Sequence, residues 1–179
     1  MTRVVALLRA VNVGGTKAVA MPALCKLLTG LGFTDVKSLL QSGNVVFGCS
    51  GSADAALEST LEAAVATGLG VQTAFFVRSA REWNAIVAAN PYPDAARDDP
   101  SRFVVMTFKS APAAKDVAAL RAAIVGRETI TAVGKQLYAI YPDGQGNSKL
   151  TNALIERKLG IPCTARNWNT VQKLAAAVG

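Results

Sequence analysis

A glycine pair flanked by basic and amide side chains follows the first apolar stretch of the chain. The stretch VVALL is followed by Arg9, Asn12, Gly14, Gly15 and Lys17. Glycines let backbone N–H groups approach a ligand, and Arg and Lys supply charged donors, so this spacing is typical of a phosphate or carboxylate site. The competing interpretation is a plain glycine turn whose polar side chains serve the local backbone.

A second polar group, Ser42, Gly43 and Asn44, lies in a predicted tight hairpin connection. Because antiparallel neighbours run in opposite directions, the strand that starts at Asn44 begins where the first strand finishes. The sequence therefore predicts that these side chains and those after the first strand converge at one sheet edge. In the alternative interpretation, Ser42 and Asn44 only satisfy backbone groups of the hairpin.

The stretch YPDGQGNSKLTN at residues 141–152 places two glycines before a predicted helix. The residues expected in the first turn of that helix are Ser148, Lys149, Thr151 and Asn152. Free N–H groups at a helix N-terminus attract anions, and a lysine adds to that attraction. The lysine is neither preceded by Gly nor followed by Ser or Thr, so this is not a Walker A motif. A glycine turn followed by a Ser148 N-cap is the alternative.

Four consecutive residues, Arg166, Asn167, Trp168 and Asn169, form a third polar group. They offer bidentate donors, amide pairs and a stacking plane, which suit a nucleobase, a nucleotide or a peptide backbone. The alternative is that Asn169 or Thr170 caps the last helix while Trp168 packs beneath it.

Catalytic chemistry has few candidate residues in this chain. There is no histidine, which excludes mechanisms built on imidazole. Asp143 is the one carboxylate beside a candidate site, so it is the expected agent of any catalysis, together with Lys149 and Arg166. The cysteines form no CxxC pair, and we predict neither a metal site nor a cofactor. The sequence leaves open whether the protein is an enzyme.

Composition fits a folded protein with an anionic partner. Of the 179 residues, 51% are hydrophobic and 17% are charged, which excludes intrinsic disorder. The net charge of +7 favours anionic partners. No apolar run is long enough for a signal peptide or a membrane span, so a cytoplasmic protein without membrane contact is expected.

The order of predicted elements repeats. Apolar periodicity predicts strands at 3–11, 35–41, 44–49 and 71–78 with helices at 21–31 and 53–67, then strands at 102–109, 128–134, 136–141 and 163–168 with helices at 114–125, 149–159 and 170–177. This order predicts an α+β protein made of two tandem ferredoxin-like, split βαβ halves with mostly antiparallel sheets. The predicted domains are 1–79 and 101–179, and residues 80–100 form a connecting helix and a Pro/Asp linker.

Both faces of two predicted strands are apolar. In the first, Val4 and Leu8 lie opposite Val5 and Leu7, and RFVVMTF at residues 102–108 behaves alike. A solvated sheet face would alternate with polar residues, so we expect both faces to be covered. The cover is either the other half of the chain or a second copy in a homodimer.

Several long motifs together resemble a known family. They are ALLRAVNVGG (6–15), MPALCKLLTGLGFTDVKSLLQSGNVVF (21–47), NPYP (90–93) and the stretch from Tyr141 to Leu174. In these motifs the chain resembles the domain-of-unknown-function 1697 family of mostly bacterial proteins. Members usually have glycine where this chain has Ala10. The resemblance implies a compact α+β fold with ferredoxin-like subdomains, and it implies no activity or catalytic residue.

The polar groups and the charge together predict binding of a phosphate-bearing ligand, a nucleotide or a nucleic acid. The residues expected to bind it are Arg9, Asn12, Lys17, Ser42, Asn44, Asp143, Ser148, Lys149, Asn152, Arg166, Asn167 and Asn169. One alternative is a metal-independent enzyme acting on a small anionic metabolite, which Asp143 beside Lys149 would favour. The other is a scaffold that acts through protein contacts.

Overall fold

Two four-stranded antiparallel sheets form the framework of the protein. The structure, a computed structural model, describes residues 1–13 and 17–179. It comprises two compact units: the first contains Met1–Ala85 and Lys173–Gly179, and the second contains Ile86–Gln172. Residues 173–179, predicted to lie in the second half, thus cluster with the first unit. The predicted α+β class with two antiparallel sheets is confirmed.

The first unit contains the first sheet and its two packed helices. Its elements are β1 (Thr2–Leu8), α1 (Met21–Gly30), β2 (Thr34–Ser38), β3 (Asn44–Cys49), α2 (Ala55–Leu69), β4 (Phe75–Ser79) and the start of α3 (Ala80–Ala88). The strands lie in the order β2-β3-β1-β4, which is the split βαβ arrangement. Leu24 and Leu28 of α1 and Leu61 of α2 are buried against Val4 and Leu8 of β1.

The second unit repeats this plan. Its elements are α4 (Pro93–Asp98), β5 (Phe103–Phe108), α5 (Ala114–Ala122), β6 (Thr129–Val133), β7 (Gln136–Ile140), α6 (Asn152–Leu159), β8 (Cys163–Asn167) and the start of α7 (Trp168–Val178). Short 3-10 turns lie at Pro100–Arg102 and Gln145–Asn147. The strand order is β6-β7-β5-β8, and helices α5 and α6 pack on one face of the sheet.

Capping residues explain where the longer helices begin and end. The Asp54 side chain accepts a hydrogen bond from the Leu57 N–H at 3.1 Å and so caps α2. Gly70 ends the same helix with φ of 67°, a conformation that glycine adopts without steric cost. Thr151 caps α6 in the same way through the Leu154 N–H. These polar caps satisfy N–H groups that have no partner within the helix.

Some predicted boundaries are wrong. Residues 71–74 are outside the strand that begins at Phe75, and the predicted Pro/Asp linker contains α4 and a 3-10 turn. Proline favours the first turn of a helix, and Pro93 and Pro100 each stand at such a position. The helix predicted from residue 149 begins at Asn152, and the one predicted from residue 170 begins at Trp168.

The central strands are buried on both faces, as the apolar pattern predicts. Val4 and Val5 of β1 are fully buried, and Val104 and Val105 of β5 are 1% exposed. That the two halves cover each other, or that a homodimer does so, stays a prediction. Among the described residues, the helices are too short or too polar to cross a membrane.

Candidate functional site

Two loops meet at the end of the first sheet where β1 finishes. The Leu8 N–H donates to the Gly43 carbonyl at 2.8 Å, which brings the loop after β1 beside the β2–β3 loop. The Asn12 Nδ2 donates to the carbonyls of Val19 and Gln41, both at 2.7 Å, and its Oδ1 accepts from the Val19 N–H at 2.7 Å. Asn12 therefore ties these loops together. We call residues 9–13, 17–20 and 39–43 the loop cluster.

Asn44, the first residue of β3, is hydrogen-bonded to two residues of the loop cluster. It is fully buried, and its Nδ2 donates to the Leu39 carbonyl at 2.9 Å and to the Ser42 Oγ at 3.0 Å. The structure therefore brings Asn12, Ser42 and Asn44 to one sheet end, where the antiparallel argument puts them. The amide groups of Asn12 and Asn44 hold backbone in place.

Two basic residues of this end contact a third segment, residues 70–74. The Arg9 N–H donates to the Ala74 carbonyl at 3.0 Å, and the Thr73 hydroxyl donates to the Arg9 carbonyl at 2.8 Å. The Lys17 Nζ donates to the Gln72 carbonyl. Gly14 and Gly15, the predicted glycine pair, lie outside the described residues. Arg9 and Lys17 thus lie at the same end of the sheet as Asn12 and Ser42.

The loop cluster concentrates left-handed backbone. Four non-glycine residues among those described have positive φ, and three of them lie here: Ala10 at 52°, Asn12 at 55° and Leu40 at 61°. Left-handed backbone is unfavourable for residues with a Cβ, and Asn tolerates it better than Ala or Leu. Gly43 has φ of 82° in the same cluster. The loops therefore hold a conformation that their own residues disfavour.

Sequence reasoning missed two exposed apolar side chains in the loop cluster. Val13 is 47% exposed and Leu40 is 50% exposed. The strand predicted at residues 35–41 included Leu40, whereas β2 ends at Ser38. The SerGly pair that follows was the available signal, because a turn there ends the strand early.

The connections at the equivalent end of the second sheet are shorter. The Phe108 N–H donates to the Lys135 carbonyl at 2.9 Å, as Leu8 does to Gly43 in the first unit. The β5–α5 connection is residues 109–113 and the β6–β7 connection is residues 134–135, against 9–20 and 39–43 in the first unit. The one positive φ in these two connections is at Gly134.

The residues predicted at 143–152 lie on the second unit, where ion pairs and hydrogen bonds hold several of them. Arg127 forms a two-point ion pair with Asp143, whose hydrogen bonds hold the pKa of that carboxyl below its usual range. Ser148 donates to the Glu128 carboxylate at 2.6 Å and accepts from the Leu150 N–H at 2.9 Å. A carboxylate with a lowered pKa is a weak general base.

The predicted helix start at this site is wrong in detail. Thr151, and not Ser148, provides the N-cap of α6. Lys149 is exposed and lies before the helix, outside its first turn. Asn152 is the exposed first residue of the helix.

The third predicted group is mostly buried. Arg166 is 8% exposed, its Nη1 donates to the Thr164 Oγ1 and the Ala165 carbonyl, both at 2.8 Å, and burial lowers its pKa to about 10. The Asn167 Oδ1 accepts from the Thr170 N–H at 3.1 Å, so Asn167 caps α7. The prediction that Asn169 or Thr170 provides this cap is wrong.

Trp168 packs beneath the helix, as one of the two interpretations predicts. It is 3% exposed and stacks on Phe103 with ring centroids 4.9 Å apart, while Asn169 is exposed. The second and third groups lie at one end of the second sheet, because the Tyr141 N–H donates to the Arg102 carbonyl at 2.9 Å and Asn167 pairs with Val104.

No group of three or more Cys, Asp or Glu side chains with metal-site geometry occurs in residues 1–13 and 17–179.

Comparisons with known proteins agree with the fold. A solved structure of a conserved bacterial protein, SP0830 from Streptococcus pneumoniae, is similar over 99% of both chains, with a TM-score of 0.75 and 23% sequence identity. No curated protein matches the chain. The family model described as a protein of unknown function (DUF1697) matches residues 1–138. This match covers more than half of the sequence and agrees with the motif resemblance, so the chain belongs to the DUF1697 family.

Proposed function

We propose that the protein binds a phosphate-bearing ligand, a nucleotide or a nucleic acid, at the loop cluster of the first unit. One observation supports this most. At this end of the sheet, the connections of the first unit are long and include non-glycine residues with left-handed backbone, whereas those of the second unit are short and have positive φ only at a glycine. The second unit demonstrates that the topology does not require such loops.

The left-handed residues are costly to keep. Each non-glycine residue in this conformation costs about 1–2 kcal/mol, and Ala10 and Leu40 have no side-chain hydrogen bond to offset it. Backbone strain of this kind is concentrated at binding and catalytic sites in proteins. The loop cluster is therefore the strongest candidate for a ligand site.

The charge at this end supports an anionic ligand. Arg9 and Lys17 lie in the loop cluster, and Lys37 is exposed on the neighbouring strand β2. Cationic donors bind phosphate oxygens through charge-assisted hydrogen bonds, which are stronger than neutral ones. The net charge of +7 adds a long-range attraction for such ligands.

The enzyme alternative has less support. Its expected agent, Asp143, is paired with Arg127, and its pKa is lowered by that contact. Such a carboxylate stays ionised and accepts a proton poorly.

Calorimetry and thermal denaturation with inorganic phosphate, AMP and a short oligonucleotide test the proposal. We expect phosphate and nucleotide to raise the melting temperature of the wild-type protein. Lys17→Gln and Arg9→Gln should each weaken binding about tenfold, because a charged hydrogen bond contributes about 1.5 kcal/mol. Lys26→Gln, at an exposed position on α1, is the matched control. No response to any of these ligands, or equal losses in the control, would overturn the proposal.

A further inference from the structure

We infer that the ligand of the loop cluster is a mononucleotide, whose base is covered by Val13 and Leu40. This inference rests on the proposed function and adds the chemical class of the ligand.

Val13 and Leu40 flank one contact between the two loops. Each is one residue away from the hydrogen bond that Asn12 donates to the Gln41 carbonyl at 2.7 Å. Val13 is 47% exposed and Leu40 is 50% exposed. Each loop therefore has one exposed aliphatic residue next to the point where the two loops are joined.

Leu40 combines two unfavourable features. Its φ of 61° is left-handed, and half of its apolar side chain contacts water. Other leucines of the same unit, such as Leu8 and Leu61, are fully buried. An exposed leucine on strained backbone is explained if its side chain is buried when a ligand binds.

The surrounding charge defines what that ligand is. Arg9, Lys17 and Lys37 lie on the segments that carry or border Val13 and Leu40. Cations beside a pair of aliphatic side chains complement a molecule with an anionic group next to an apolar ring or chain. A nucleoside monophosphate has both parts.

A nucleic-acid strand fits this surface less well. Proteins that bind single strands stack successive bases on exposed aromatic rings. The large hydrophobic side chains exposed among the described residues are Met1, Val13, Leu31, Leu40 and Val125, and none of them is aromatic. Two aliphatic residues next to one contact between loops suit a single base better than a strand of bases.

Titration calorimetry with AMP and with inorganic phosphate tests the inference. We expect the wild-type protein to bind AMP at least tenfold more tightly than phosphate. Leu40→Asn should reduce that preference about tenfold, since asparagine accepts left-handed backbone but has no apolar surface. Leu31→Asn is the control, because Leu31 is similarly exposed, at 46%, just after the C-terminal end of α1.

The outcomes separate the two proposals. If neither AMP nor phosphate binds, both proposals are overturned. If phosphate binds and AMP binds no more tightly, only the mononucleotide inference is overturned. The inference also fails if Leu40→Asn keeps the wild-type preference, if Leu31→Asn loses as much of it as Leu40→Asn does, or if a ten-nucleotide strand binds more tightly than AMP. Should Leu40→Asn not fold, Val13→Ser is the second variant, with the same expected loss of preference.

Discussion

The two units of this protein have one topology but elaborate opposite ends of their sheets. In the first unit the long connections lie where β1 ends, at residues 9–20 and 39–43. In the second unit the long connection is residues 141–151, at the other end, where the first unit has only residues 50–54. The comparison separates the strands and helices that both units share from the long connections that differ between them.

The shared parts of the units match closely. Arg78 on β4 lies opposite Val5, and Arg166 on β8 lies opposite Val105. In each case Nη1 donates to the carbonyl of the preceding residue at 2.8 Å, and burial lowers the pKa of the guanidinium. These matches in register justify comparing the loops position by position.

The added parts differ in kind. The long loop of the second unit pairs Asp143 with Arg127 and Ser148 with Glu128, and its one positive φ is at Gly144. The long loops of the first unit carry Ala10 and Leu40 in left-handed backbone. The two long connections therefore differ in their backbone: left-handed residues with a Cβ occur in that of the first unit, and the left-handed residue in that of the second unit is a glycine.

The largest expected effect concerns glycine in the two equivalent hairpins. Gly43→Ala should lower the free energy of unfolding by about 3 kcal/mol, because φ is 82° and a Cβ would lie 2.6 Å from Val11 Cγ2 and 2.9 Å from Leu8 Cβ. Gly134→Ala should cost about 1 kcal/mol, since its nearest contact is the flexible Gln136 side chain at 3.6 Å. Urea denaturation measures both, and equal losses would remove this contrast between the units.

Asn12 gives the second largest effect. Asn12→Ala should lower the free energy of unfolding by about 2 kcal/mol, because two hydrogen bonds with Val19 inside the β1–α1 connection and one to Gln41 in the β2–β3 loop are lost, and Ala fits φ of 55° poorly. Asn147→Ala, in the long loop of the second unit, removes one exposed hydrogen bond to the Asp143 carbonyl. It should change the free energy of unfolding by less than about 0.5 kcal/mol. A comparable loss in both variants would contradict the assignment of Asn12 as the tie of the loop cluster.

Deprotonation of tyrosine at alkaline pH affects only the second unit, because all three tyrosines lie there. Burial raises the pKa of Tyr138 to about 12, against an opposing hydrogen bond with Gln136. Between pH 10 and 12 the unfolded chain loses the phenolic proton while the folded chain keeps it, so stability falls as pH rises.

Tyr138→Phe isolates this contribution. The wild-type protein should lose about 2 kcal/mol more than the variant between pH 10 and 12, measured by urea denaturation at each pH. Tyr141, whose pKa burial also raises, titrates in both proteins and cancels from the difference. Parallel pH profiles would show that the Tyr138 hydroxyl is not protected by the fold.

The smallest expected effect is a gain in stability. Ala10→Gly should raise the free energy of unfolding by about 0.5 kcal/mol, because relief of the left-handed strain exceeds the entropy cost of glycine. Ala111→Gly, in the equivalent connection of the second unit, has no positive φ to relieve and should lose a similar amount. A loss at both positions would show that Ala10 is not strained.

The sequence predicts much of the fold because its signals are local. Apolar periodicity and turn residues define the repeated order of strands and helices, and antiparallel pairing then brings Asn12 to Gln41, next to Ser42 in the chain. The boundary errors have local causes as well. Thr151 competes with Ser148 as a cap, and the sequence alone does not rank them.

The candidate site is less predictable because its key features depend on tertiary contacts. Ala and Leu residues do not indicate left-handed backbone in a sequence, so the positive φ values of Ala10 and Leu40 could not be predicted. Asp143 finds its partner, Arg127, sixteen residues earlier in the chain. Arg166 looks like a surface donor until β8 places it on a buried sheet face.

The last helix has a consequence for biosynthesis. Residues 173–179 belong to the first unit, and Arg3 in β1 donates to the Ala177 carbonyl at 3.5 Å. During translation, this contact of the earliest strand therefore forms only after residues that follow the second unit have been made. Domains usually fold as they emerge from the ribosome, N-terminal first. Here we expect the unit that starts synthesis first to complete its folding last.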